Sequence, residues 1–344
     1  MRPLPPAEDL GEGVWSVPVP IPGNPLGYTL VYLLESPRGP VLVDAGWNHE
    51  DSWGALTAGL ESAGASVGDV YGVVVTHFHP DHAGLAGRVR AASGAWVAMH
   101  RADAELVRGF ARIGADEQHA RQLRRAAEAG ATPAELERLA ESAPLFQPPA
   151  PPDRELSDGE PVDLPGRRLS TVWTPGHTPG HICLHLPDSD RLFTGDHLLP
   201  RITPNIGLYG SDDGGDPLGD YLSSLAQLAD TPEDTRVLPA HEHRFTGAAR
   251  RAAEIAEHHE AKLDELARLL DGGGATLWEL SARLPWKRGW DGMEVASRRM
   301  AAAETAAHVR TLERRGLAVR ADGAGGPPRW RPADAAAPQA PGRS

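Results

Sequence analysis

A single cysteine, Cys183, stands in a chain of 344 residues. That excludes an internal disulfide and a thiolate-rich metal site, and it fits a reducing cytoplasm. Long apolar runs are missing too. No stretch approaches the ~18 consecutive apolar residues of a membrane span, so no membrane role is expected. Met1–Leu10 has no apolar core of the kind a secretory signal carries. Basic charge is scarce through most of the chain: residues 1–247 hold 18 Lys or Arg against 34 Asp or Glu, and residues 248–344 hold 16 against 13. So acidic a body repels phosphate backbones at long range, which argues against a nucleic-acid substrate. Histidine, by contrast, is plentiful, with 15 residues. The length suits one domain of roughly 250 residues and a smaller second one.

Tyr28–Glu35 and Pro40–Ala45 are β-rich runs joined by Ser36-Pro37-Arg38-Gly39, which suits a type I turn and predicts a hairpin. A helix is expected over Asp51–Ala63. Asp69–Thr76, with Val73, Val74 and Val75, reads as a strand buried on both faces. A short helix over His82–Ala92 and a strand over Ala95–Met99 continue an α/β pattern. Leu106, Val107, Phe110 and Ile113 then sit at helical spacing, followed by helices around His119–Ala129 and from Pro133. This helical insertion, 101–147, closes in the proline-rich Pro144–Pro152. Strands resume at Arg167–Trp173, Ile182–Leu186 and Arg191–Phe193, then a helix at Pro217–Leu228 and a strand at Val237–Pro239. A long helix, Ala248–Leu270, stops at three glycines. Two more helices, Thr276–Leu284 and Met293–Arg315, precede Gly316–Arg320 and Arg329–Arg331, which can pair as a wing. Residues 1–247 thus read as the main domain, 248–332 as a small winged-helix-like domain, and 333–344 as a disordered tail.

The chemistry begins with His77-Phe78-His79-Pro80-Asp81-His82, directly after the valine strand. Residues two apart at a strand end point to one side, so His77 and His79 can share a metal. Pro80 turns the chain and leaves Asp81 and His82 for a second. Three further segments each place a ligand-capable residue in a loop at a strand end: Thr174–His181, Phe193–Asp196 and Leu238–His241. With Val43-Asp44-Ala45-Gly46, these motifs in this order resemble the metallo-β-lactamase superfamily over about Gly13 to Thr246. The resemblance implies an αββα sandwich with its site at one edge between two sheets. It assigns His77, His79 and His177 to a first metal and Asp81, His82 and His241 to a second, with Asp196 bridging both. Imidazole and carboxylate donors suit zinc, with iron or manganese as alternatives. Two such ions roughly 4 Å apart would bring a bridging water to hydroxide near neutral pH. Asp81 would hold that hydroxide on line.

His181 is expected behind the ligands or facing substrate, where it is the available catalytic acid. His197 would brace its loop, and His100, His185 and His243 read as ordinary histidines. Cys183 reads as a buried thiol and Asp44 as a hydrogen-bonding residue beneath the metal loop. Arg201, Asn205 and Tyr209 are candidate substrate contacts. The superfamily hydrolyses lactams, thioesters, lactones and phosphodiesters, so fold does not give substrate. The nearest resemblance is to glyoxalase II-like and lactamase-like hydrolases with a small C-terminal winged-helix domain. A small-molecule thioester or other activated acyl substrate is expected, with the insertion as an apolar lid. The alternatives are a lactonase or lactamase, a winged-helix ribonuclease, or a ligand-sensing DNA-binding regulator. Met293–Arg315 interleaves both charge signs, so the C-terminal domain is expected to pack on the main domain or mediate a homodimer rather than bind nucleic acid. Diiron oxygen-reducing relatives carry Glu where His79 stands.

Overall fold

In the computed structural model, which describes residues 4–141, 148–209, 214–321 and 326–333, the first half of the chain builds a seven-stranded sheet in sequence order. Its strands are β1 (Glu8–Asp9), β2 (Val14–Pro20), β3 (Tyr28–Leu34), β4 (Val41–Val43), β5 (Gly72–Val74), β6 (Trp96–His100) and β7 (Arg154–Leu156). The first four are antiparallel neighbours, and β4 to β7 are parallel. Parallel pairing requires crossovers. These are supplied by α1 (Glu50–Ser62), then α2 (Pro80–Ala83) with α3 (Ala86–Ser93), then α4 (Arg101–Ala129) with α5 (Pro133–Glu141). A four-stranded sheet follows, from β8 (Ser170–Trp173), β9 (Ile182–Leu186), β10 (Arg191–Gly195) and β11 (Arg236–Pro239), in order 11-10-9-8. The helix α6 (Pro217–Ala226) connects β10 to β11. The chain continues through α7 (Ala248–Leu270), α8 (Leu277–Arg283), α9 (Val295–Arg314) and an antiparallel ribbon of β12 (Ala318–Ala321) and β13 (Arg329–Pro332).

The two-residue period of the strands sorts their apolar side chains into two cores. Val17, Val31, Leu33, Leu42, Val73 and Val97 pack against Leu56 and Leu60 of α1, Val89 of α3, and Ala104 and Val107 of α4. On the opposite face Leu30, Tyr32, Leu34, Val43 and Val74 meet Ile182, Leu184, Leu186, Phe193 and Leu238 of the second sheet. This is the mixed α/β sandwich that the motifs imply. No helix among the described residues is long and apolar enough to cross a membrane.

The described residues divide into two compact units, one drawn from Met1–Ala115, Pro144–Pro204 and Asp220–Ile255, the other from Asp116–Ala143, Asn205–Gly219 and Ala256–Ser344. This grouping differs from the expected division at 247/248. The insertion is split, because α4 breaks at Gly114 (φ 70°, ψ 168°). Beyond that break Ala129 packs with Trp278 and Ala302. The long α7 likewise runs from one unit into the other. Pro144 and residues 334–344 of the expected tail lie outside the described residues.

The local differences have physical causes. β2 carries Pro18 and Pro20, which argue against a strand in sequence. Its partner β1 reaches only Trp15 and Ser16, so beyond them one edge of β2 has no ladder to lose. The expected strand from Asp69 starts at Gly72, because Val67–Asp69 forms a 3-10 turn capped reciprocally by Ser66 and Asp69. The expected helix over 82–92 becomes two. Gly84, between them, packs so closely that a Cβ would come within 2.3 Å of the Pro80 carbonyl.

Candidate metal centre

All seven expected ligands lie in the first unit, at one edge of the sandwich. His77 to His82 follow β5, His177 lies in the β8–β9 loop, Asp196 follows β10 and His241 follows β11. Ligand atoms of His77, His79 and His177 fall within 4.8 Å of one another, as do those of Asp81, His82 and His241, and those of His77, His82 and Asp196. His79 Nδ1 is 3.0 Å from both His77 Nε2 and His177 Nε2. Two metal–nitrogen bonds of ~2.1 Å at a tetrahedral angle need nitrogens ~3.4 Å apart, close to this spacing. Asp196 stands between the sets. Its Oδ1 is 3.5 Å from His82 Nε2 and 3.2 Å from His241 Nε2, and its Oδ2 is 3.6 Å from His177 Nε2. Asp81 Oδ2 lies 3.4 Å from His241 Nε2.

Groups behind the rings decide which nitrogen is free. His82 Nδ1 meets Asp44 Oδ2 at 2.8 Å, and His241 Nδ1 meets the Tyr28 carbonyl at 3.1 Å. Both partners are acceptors, so Nδ1 carries a proton and Nε2 is the atom turned inward. His77 Nδ1 is backed by Thr76 Oγ1 at 3.1 Å, and that hydroxyl lies 3.0 Å from Asp44 Oδ2. Metal-binding histidines are held in this way. His82 Nε2, His241 Nε2 and Asp196 Oδ1 are buried and lack a hydrogen bond of proper geometry, although they face one another. Buried polar atoms that converge without a hydrogen bond are what a cation would satisfy. The residues therefore fit divalent ions.

The electrostatics of the two sets differ. Burial, with neighbouring imidazoles, holds His77 well below the usual histidine range and His79 at about 3, so both are neutral donors. Burial also opposes charge on His82, but Asp44, Asp81 and Asp196 outweigh it and lift His82 to about 9. The second set thus demands positive charge. Asp196 stays well below the carboxylate range despite burial, because His241 and His82 face it.

His181 is fully buried, and this corrects its expected place facing substrate as a catalytic acid. Its Nε2 accepts the Asp196 backbone N–H at 3.2 Å and its Nδ1 meets Thr174 Oγ1 at 2.9 Å, so both nitrogens are committed. A Cβ on Gly195 would sit 2.7 Å from that Nε2. His197 is buried against Tyr221 and braces the same turn. His100 stacks on Trp173, and His185 and His243 stand apart from the metal-capable groups. Burial pushes the Cys183 thiol up to about 12. Arg201 is paired with Glu242. Asn205 binds Glu304 and Tyr209 binds Asn205, all within the second unit. In the insertion, Ala104 and Val107 join the core, while the Phe110 ring meets Phe78 at 5.7 Å and Phe78 meets His79 at 4.9 Å. Sequence reasoning misses Asp103, which is fully buried beside both ligand loops. Nothing local singles it out, because Arg101, Glu105 and Arg108 also carry charge in the first turns of α4.

A family model of the metallo-beta-lactamase superfamily matches residues 24–241. Among curated proteins, a hydroxyacylglutathione hydrolase of Maricaulis maris is 26% identical over 212 residues, which is 62% of each chain. A probable metallo-hydrolase of Bacillus subtilis is 26% identical over 314 residues, 88% of this chain and 92% of that one. The chain spans less than two thirds of the first hydroxyacylglutathione hydrolases it matches, 32% and 62% of their lengths. Among solved structures, a metallo-beta-lactamase family protein of Thermus thermophilus is 33% identical with a TM-score of 0.75, covering 94% of this chain and 100% of that one.

Proposed function

Because the chain belongs to the metallo-beta-lactamase superfamily, we propose that it is a hydrolase with two divalent metal ions, zinc first and iron or manganese as alternatives, acting on a thioester or other activated acyl compound. The observation that carries this reading is the pair of donor sets meeting at Asp196. In it His77, His79 and His177 hold one ion, Asp81, His82 and His241 the other, and Asp196 serves both. Bound there, two dications supply an activated water at neutral pH and an electrophile for the substrate oxygen.

The chain's own residues then do the following. Asp81, whose side chain keeps 14% exposure, is the carboxylate of the second set placed to take a hydrogen bond from the attacking water. Asp196 spreads negative charge between the two sets, and Asp44 keeps the His82 proton on Nδ1. Phe78 and Phe110 form an apolar wall beside His79, suited to an acyl chain. With His181 committed at both nitrogens, a leaving group that departs unprotonated is favoured, and a thiolate meets that condition. The hydroxyacylglutathione hydrolase relatives point the same way. In the same reading α7, α8, α9 and the β12–β13 ribbon, residues 248–332, form a winged-helix-like domain that serves packing or a homodimer, with no nucleic-acid partner.

The test is kcat/KM on metal-loaded protein for acyl-thioesters, a lactone, a cephalosporin and a phosphodiester reporter. Thioesters should lead the phosphodiester by at least about tenfold, roughly 1.4 kcal/mol of transition-state stabilisation. A phosphodiester that wins would replace this reading with a nuclease.

A further inference from the structure

Asp103 sits in the first turn of α4, with no solvent exposure, and every polar contact the structure gives its carboxylate comes from a ligand loop. Oδ2 accepts the backbone N–H of Phe78 at 2.9 Å and the Thr178 hydroxyl at 2.8 Å, and Oδ1 accepts the Gly180 N–H at 2.6 Å. Phe78 lies between His77 and His79, and Thr178 follows His177. Gly180 is needed for the approach, since a Cβ there would stand 2.4 Å from the Asp103 backbone nitrogen. One buried carboxylate therefore joins two loops that are about a hundred residues apart in sequence. It touches no ligand side chain and can act only on where those chains are held.

We infer that Asp103 is a positioning residue for the first donor set, clamping the His77–His79 loop to the His177 loop so that the three imidazoles meet one cation. This rests on the reading of His77, His79 and His177 as ligands. Burial favours a protonated acid here and raises the group to about 7. All three partners are donors, however, and they call for the carboxylate form. An amide at this position keeps one acceptor oxygen and turns an N–H2 toward one of the donors, so Asp103→Asn breaks part of the clamp at nearly constant volume.

The test is zinc competition against a chromophoric chelator on the metal-stripped full-length chain, with circular dichroism to confirm folding. Two backgrounds separate the sets: His241→Ala retains the first and His79→Ala the second. Asp103→Asn should weaken zinc on the first set by about 10- to 100-fold, the range for groups that hold a metal ligand from behind. On the second set it should change affinity by less than about threefold. Thr178→Val removes one donor without altering charge and should weaken the first set by a few-fold; it decides the matter if Asp103→Asn does not fold. Unchanged first-set affinity, or equal losses in both backgrounds, would overturn the positioning role. If neither background loses a metal relative to wild type, the ligand assignment itself fails, and that is seen before any Asp103 variant is measured.

Discussion

Asp44→Asn isolates how the second donor set is prepared. Asp44 is buried and accepts from the Thr76 N–H at 2.7 Å as well as from the Thr76 hydroxyl and His82 Nδ1. With asparagine, Oδ1 can keep the Thr76 N–H, which leaves an N–H2 facing His82 Nδ1. Two donors cannot share that contact, so the ring can keep a proton only on Nε2, the atom 3.5 Å from Asp196 and 3.7 Å from Asp81. Zinc must then displace that proton and reverse the tautomer. The expected loss is about 10- to 100-fold in second-site affinity, or ~1.4–2.7 kcal/mol. The cation-free protein should lose ~1.5–3 kcal/mol of stability, the range for a hydrogen bond to a charged group. The Thr76 hydroxyl shares that Oδ2 position, so it too meets the N–H2 and must accept there, which also alters the backing of His77 Nδ1. Chelator competition in the His79→Ala background reads the second site, and thermal unfolding reads stability. Second-site affinity within about twofold of the unsubstituted background would refute the tautomer argument.

Two further outcomes follow from other parts of the molecule. Phe110→Ala removes one ring of the wall beside His79, so kcat/KM for a long acyl chain should fall about three- to tenfold relative to acetyl, matching ~0.7–1.4 kcal/mol of lost apolar contact; an equal effect on both substrates would count against an acyl wall. In the second unit His259 Nδ1 and His308 Nε2 lie 3.1 Å apart, and burial first, with His308's charge also acting on His259, holds both near about 3. Below the ordinary value of ~6.5 the unfolded chain binds protons that the folded pair refuses, so their stability is full above that value and is lost as pH falls toward 3. Each unit of pH in that window costs at most ~1.4 kcal/mol per histidine. His259→Leu should flatten the decline in unfolding free energy between about pH 7 and 5.5, and an unchanged slope would remove the pair as its source.

The candidate ligands were legible because each follows a strand that announces itself. Val73–Val75 runs straight into His77, and the spacing of two in His77-Phe78-His79 is what a strand end turns to one side. The groups behind those ligands follow no local rule. Asp103 meets Phe78, Thr178 and Gly180 across 25 to 77 positions, and His241 is oriented by the carbonyl of Tyr28. His181 illustrates the same limit. Its place in the His177 loop suggests access to substrate, whereas the turn at Gly195 puts the Asp196 N–H directly on its ring. β2 is hidden by its prolines, which are tolerated because β1 is short. The insertion divides at one glycine with positive φ, Gly114, which lies between the Leu106–Ile113 stretch and the helix around His119–Ala129.

The central claim is a dinuclear centre bridged by Asp196, and metal content per chain tests it most directly. Elemental analysis after metal-supplemented growth should give two divalent ions per wild-type chain, and fewer than two for a folded Asp196→Asn variant whose activity is down on the order of 10²-fold or more. One ion or none in the wild type, or two retained by Asp196→Asn, would contradict it.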